Sequence, residues 1–213
     1  LLMVSGFERY FQIARCFRDE DSRADRQPEH TQLDLEMSFV EQEDILELIE
    51  ELFSSLVEDI FPNRRVMKPF PRLNNRDAMR LYGSDKPDLR FGLELSDVSD
   101  IAREIKFKPF SEVLATGGIV KGLRAPGCGS YSRRQIEGLA SFAKDDGVNG
   151  LFTVALIGEP ASLVELKQEQ IRSSISRFVT VEQVKEIAWR TNAEVGDLII
   201  MVAGEDKATN RVL

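Results

Sequence analysis

Residues 8 to 18 and 30 to 40 are two arms of mixed aromatic, aliphatic and charged side chains, and the polar stretch 19 to 29 between them carries Pro28. Such a pair predicts two antiparallel strands joined by a long charged loop. Strand alternation then sorts every residue onto a face. In the first arm Tyr10, Gln12, Ala14 and Cys16 share one side and Phe11, Ile13, Arg15 and Phe17 the other. In the second, Gln32, Asp34, Glu36 and Ser38 oppose Leu33, Leu35, Met37 and Phe39, so one face of the return strand is a row of polar groups.

The period changes after Glu41. Ile45, Ile49, Leu52, Leu56 and Ile60 recur at helical spacing and predict a long amphipathic helix to residue 60. Its exposed side carries many acids and no base, which opposes the helix dipole at Glu58 and Asp59. A short helix is expected over 76–82, with Asn74 as cap and Gly83 as its left-handed stop. From about Phe91 the elements shorten: strands near 92–95, 119–124, 151–155 and 197–202 alternate with helices near 98–105, from Ser132, and 180–189. That alternation predicts an α+β module.

With 28 basic and 36 acidic side chains in 213 residues the formal charge is −8. That balance disfavours nonspecific adhesion to nucleic acid or anionic membrane, so any polyanion must be met by a local basic site. No apolar run approaches the roughly 20 residues of a membrane-spanning helix. Cys16 and Cys128 are the only thiols and His30 the only histidine, which excludes a disulfide scaffold and a Cys/His zinc site. A reducing, cytoplasmic setting is expected, with both cysteines structural and no membrane partner. Leu1 to Val4 read as strand interior and Leu213 as an unclosed end, so the sequence is read as a piece of a larger protein.

Every base in residues 6–39 is an arginine, at 9, 15, 18, 23 and 26, and the first lysine is Lys68. Arginine's flat fork clamps phosphate or carboxylate in two parallel hydrogen bonds. The competing reading pairs these arginines with Glu8, Asp19, Glu20, Asp21, Asp25 and Glu29 as an exposed salt-bridge lattice. The order of residues suits a nucleotide: Arg18 for a phosphate, Glu20 for an exocyclic amine, His30 for a base face, with Gln32 and Asp34 on one strand face beside it for an ammonium group. Gly117, Gly118 and Gly122 lack the spacing of a dinucleotide fingerprint.

Three consecutive blocks, Phe17-Arg-Asp-Glu-Asp21, Arg23-Ala-Asp-Arg-Gln-Pro-Glu29 and Thr31-Gln-Leu-Asp-Leu-Glu-Met-Ser-Phe39, resemble the second signature motif of class II aminoacyl-tRNA synthetases, in the wording of the bacterial-type aspartyl-tRNA synthetase family. Ser84-Asp-Lys-Pro-Asp-Leu-Arg-Phe91 resembles the block that follows, and the remainder is similar to the family's insertion domain. The resemblance implies an α+β chain in three parts. Residues 1–91 would be part of the class II antiparallel catalytic domain, 92–205 a small α+β insertion domain, and 206–213 the start of a return segment.

It also implies the reaction: aspartate is activated by ATP and transferred to tRNA. Arg18 is the implied catalytic contact to the α-phosphate; Arg18, Glu20, Gln27 and His30 bind ATP, Gln32 and Asp34 bind aspartate, and Arg23 and Arg26 meet tRNA. His30 stands where the family usually has phenylalanine, and an imidazole can still stack under adenine, with less apolar area. Lys86, Asp88 and Arg90 are expected to order the rim of the site. Lys121, Arg124, Arg133 and Arg134 are either a modest tRNA-facing patch or solvated charge. ATP enters as substrate, and Mg2+ is expected in the parent enzyme with no metal ligands in this chain. A parent homodimer would form through a segment outside these residues. The family's first and third motifs and its anticodon-binding barrel find no match, so the piece is expected to be inactive alone. The alternatives are a noncatalytic tRNA-binding module and a structural remnant of a synthetase.

Overall fold

The computed structural model describes residues 1–21, 26–145, 147–148, 150–158 and 162–213. The chain divides into two compact units, Leu1–Arg72 and Leu73–Leu213.

In the first unit the opening residues form turns rather than the expected strand interior, because Ser5 N–H is donated to Leu1 and Leu2 carbonyls and Gly6 N–H to Met3. The two arms are strands β1 (Arg9–Phe17) and β2 (Glu29–Met37), paired antiparallel from Arg9↔Met37 to Phe17↔Glu29. Arg18 N–H to the Pro28 carbonyl at 2.8 Å and Ser38 N–H to the Glu8 carbonyl at 2.9 Å extend the ladder at both ends. The helix follows as α1 (Gln42–Ile60), opened by Glu41 N–H donating to the Asp44 carboxylate at 2.7 Å.

The acidic side of α1 finds cations that local periodicity does not reveal. Residues 68–72 lie back along it: Phe70 N–H donates to Glu50 at 2.9 Å, and Arg72 meets Glu50 at 3.0 Å and Glu43 at 3.3 Å. Lys68 pairs with Glu58 in the last turn, where a positive charge also suits the dipole. The apolar stripe stays largely open, with Ile45, Phe53, Leu56 and Ile60 exposed.

The second unit begins with α2 (Asn75–Tyr82). Asn74 accepts the Asp77 N–H at 2.8 Å and Gly83 closes the helix with φ +65°, as the cap signals predict. No strand forms at 92–95, because the Leu95 N–H is donated to the Leu81 carbonyl at the end of α2. The strand is the two-residue β3 (Ser96–Asp97) just beyond. There follow α3 (Ser99–Glu104), α4 (Lys108–Ala115), β4 (Ile119–Ala125), α5 (Arg133–Asp145), β5 (Leu151–Leu156), β6 (Ile171–Ser173), α6 (Val181–Arg190), β7 (Leu198–Gly204) and α7 (Asp206–Val212). The antiparallel sheet runs β3-β4-β7-β5-β6.

Strand β7 is central, and Leu198, Ile199, Met201 and Val202 are fully buried along it, so its continuous apolar run is covered on both faces. One core gathers Ile101, Phe110, Val154, Ile187 and Met201, with Phe107, Phe110 and Phe152 stacked edge to face at 5.0–5.2 Å. The final segment belongs to this packing: buried Lys121 donates to Asn210 at 2.6 Å and meets Asp206 at 3.2 Å. Among the described residues, no helix is long and apolar enough to cross a membrane.

Candidate functional site

Because β1 and β2 pair without slippage, the even-numbered residues of both strands face the same way. His30 lies opposite Cys16, Gln32 opposite Ala14, and Asp34 opposite Gln12. The polar row read from the second arm therefore gains partners from the first. The Gln12 amide donates to the Asp34 carboxylate at 3.1 Å across the pair. The histidine that sequence order set 14 positions from Cys16 is its cross-strand neighbour.

At the loop end of the ladder, Arg18, Glu20, Arg26, Gln27 and His30 line a cavity of about 290 Å³. Arg18 continues the parity of Cys16, and its backbone bond to Pro28 holds the two ends of the loop together. Glu20, three-quarters buried, is the hub: its carboxylate takes Arg26 at 3.1 Å and lies 3.9 Å from Arg18. Two guanidinium groups thus sit beside one acid, so the arginines outnumber the carboxylate that lines the cavity with them. Arg15 projects from the opposite face and pairs with Glu29 at 3.2 Å. The expected nucleotide residues and the salt-bridge lattice are therefore present together, since the acid that would read a base now holds two arginines.

All four residues expected to bind ATP line this cavity, and Gln32 and Asp34 continue from His30 along the same strand face. Arg26, expected to meet tRNA, is in the same cavity. Arg23 lies outside the described residues. Strand alternation puts Gln12 on the site face but gives it no chemical role; the cross-strand bond to Asp34 does.

The second unit holds the remaining polar motifs. Asp88 accepts the Arg90 N–H at 3.0 Å and is gripped by the Arg90 guanidinium, which holds its carboxyl down at about 2. Of Lys121, Arg124, Arg133 and Arg134, the last two are exposed and the first is buried. Arg124 donates to the Asn192 carbonyl at 2.7 Å; Arg133 pairs with Glu137 at 2.8 Å. Among the described residues, no group of three or more His, Cys, Asp or Glu side chains is placed to hold a metal ion.

Comparison with known proteins gives a family match over residues 1–201, to the class II tRNA synthetases (D, K and N). Similar curated proteins are the aspartate–tRNA(Asp/Asn) ligases of Dehalococcoides mccartyi strain CBDB1, 50% identical over all 213 residues and 36% of the relative, and of Syntrophomonas wolfei, 46% identical over 213 residues and 34% of the relative. That of Moorella thermoacetica is 49% identical over 203 residues, 95% of this chain and 32% of the relative. The chain spans about a third of the length of these relatives.

Proposed function

The chain belongs to the class II tRNA synthetases of the D, K and N group, and from that membership we propose that it forms one wall of the active site of an aspartate–tRNA ligase. In the first step a carboxylate oxygen of aspartate bonds to the α-phosphorus of ATP, and pyrophosphate leaves with the electron pair of the broken P–O bond. In the second, a terminal ribose hydroxyl of tRNA takes the aspartyl group and AMP leaves. Charge gathers on oxygen in both, so a fixed cation at the reacting phosphate lowers the barrier. The observation that carries the reading is the cavity of Arg18, Glu20, Arg26, Gln27 and His30 opening from the ribbon face that bears Gln32 and Asp34.

Arg18 takes the α-phosphate. Glu20 reads the exocyclic amine of adenine, Gln27 contacts the nucleotide and the His30 ring stacks on the base. Nucleotide binding exchanges partners, since phosphate replaces Glu20 as the anion beside Arg18. Gln32 and Asp34 hold the α-ammonium of aspartate, and alignment rather than proton transfer is their contribution. Arg23 and Arg26 meet the tRNA acceptor end, and their phosphate contacts make affinity fall with salt. ATP acts as substrate. Magnesium, which the family implies, is not called on in any step above. The activity belongs to a cytoplasmic, homodimeric protein.

Aspartate is favoured over lysine and asparagine by the relatives' names, which carry both tRNAs. The test is amino-acid-dependent ATP–pyrophosphate exchange by the complete polypeptide that carries these residues, followed by charging of tRNAAsp and tRNAAsn. Exchange with aspartate and aspartylation of both tRNAs are expected. Exchange with lysine or asparagine alone overturns the substrate, and tRNA binding without any exchange leaves the noncatalytic module as the function.

A further inference from the structure

We infer that Gln12 is a positioning residue for the aspartate subsite, setting the orientation of Asp34 before substrate arrives. The inference rests on the proposed placement of aspartate at Gln32 and Asp34. Ladder register puts Gln12 directly across from Asp34 on the site face, and its Nε2 donates to Asp34 Oδ2 at 3.1 Å. An ionised carboxylate only accepts, so the amide nitrogen is the end of Gln12 that must face it. Among the described residues no other side chain donates to Asp34. The bond engages one of the two carboxylate oxygens.

The neighbouring pair completes the arrangement. Ala14 lies opposite Gln32, so a methyl group rather than a longer side chain stands across from the Gln32 carboxamide on the site face. An ammonium group has three donors and needs acceptors converging from different directions. Asp34 and Gln32, two positions apart on one face of the strand, supply two such acceptors. Without the Gln12 bond, the carboxylate rotates about its last torsion, which is broad and soft for this side chain. Binding an ammonium would then have to stop that rotation as well as form its own bonds.

A structural role is the competitor, since cross-strand polar pairs also stabilise ribbons. The two roles part on which constant moves. In the complete enzyme, Gln12→Leu keeps the bulk and removes the donor. It should raise KM for aspartate about tenfold, the factor carried by about 1.4 kcal/mol. KM for ATP and the thermal midpoint should hold, and Gln12→Asn, which restores an amide one methylene shorter, should recover part of the loss. An unchanged KM for aspartate in Gln12→Leu overturns the inference when Asp34→Ala raises it. Parallel rises in both KM values with a lowered thermal midpoint overturn it too, in favour of a structural pair. If Asp34→Ala leaves KM for aspartate unchanged, the subsite itself is misplaced and the role of Gln12 falls with it.

Discussion

Arg18 and Gly83 mark the two ends of what single residues say here. Arg18 stands out in the sequence because its neighbours on both sides form a pattern few structural needs would produce, and its side chain stays 64% exposed. Removing it should cost little stability, because the 3.9 Å contact to Glu20 is a solvent-facing ion pair of at most about 1 kcal/mol. Its loss from the reaction should be far larger. Arg18→Ala in the complete enzyme is expected to slow ATP–pyrophosphate exchange about 100- to 1,000-fold, the effect of deleting one preorganised donor. Near-normal exchange would remove Arg18 from the reaction. Gly83 is legible only in part. The cap of α2 predicts a left-handed residue there, but not that a Cβ would meet the Asn210 carbonyl oxygen at 2.4 Å, 127 positions away. Gly83→Ala therefore combines a strained φ with a backbone collision, and urea unfolding should show a loss of about 2 to 3 kcal/mol. A Gly83→Ala protein as stable as the parent would mean that α7 does not pack as described.

Elements declare themselves when local chemistry and burial agree. Helices α1, α2, α5 and α6 each combine an apolar period with a polar start signal, and α6 has the full box: Thr180 accepts the Gln183 N–H while Gln183 accepts that of Thr180. Three elements lack such agreement and are not signalled by the sequence. Helix α4 starts in the mixed run Phe107-Lys-Pro-Phe-Ser, strand β6 has three residues at a sheet edge, and α7 is polar along most of its length, held by long-range bonds to Lys121. Another tie invisible to local pattern links α3 to α6, where Arg190 grips Asp100 through two bonds of 3.1 and 3.0 Å and also donates to the Asp97 carbonyl at 3.1 Å. The Arg190 hydrogen bonds hold the Asp100 carboxyl below its ordinary 3.8. A carboxyl with a lowered folded value contributes stability that is complete above its unfolded value and is lost as pH falls below it. Both partners are partly exposed, so the contribution is about 0.5 kcal/mol. Arg190→Gln should flatten the stability curve below pH 4 by that amount. An acid limb identical to the parent's would show that the pair carries no linked stability.

At the scale of the whole molecule, the site and the core lie in different units. Every buried hydrophobic residue among those described is at Ala78 or beyond, whereas the first unit leaves Phe11, Ile13 and Phe17 about two-thirds exposed on the ribbon's apolar face. Sequence alternation names that face correctly but cannot say what lies against it, because a strand's pattern records that a side wants cover and not which segment supplies it. A two-stranded ribbon alone is marginal in water, and local opening follows the cover each element receives. Native-state hydrogen exchange on this chain should therefore split in two. Amides of β4 and β7, such as Val120 and Ile199 to Val202, should exchange only through global opening of the second unit, while those of β1 and β2 should exchange at least about 100-fold faster. The same split predicts that residues 73–213 produced alone unfold in one cooperative transition at the midpoint of the longer chain, and that residues 1–72 alone show none. It also separates chemistry from folding: Arg18→Ala should leave the protection of β7 unchanged. Equal protection of ribbon and central strand would mean that the first unit is stabilised by more than its own ladder, and any activity loss in Arg18→Ala would then have to be measured against a change in folding.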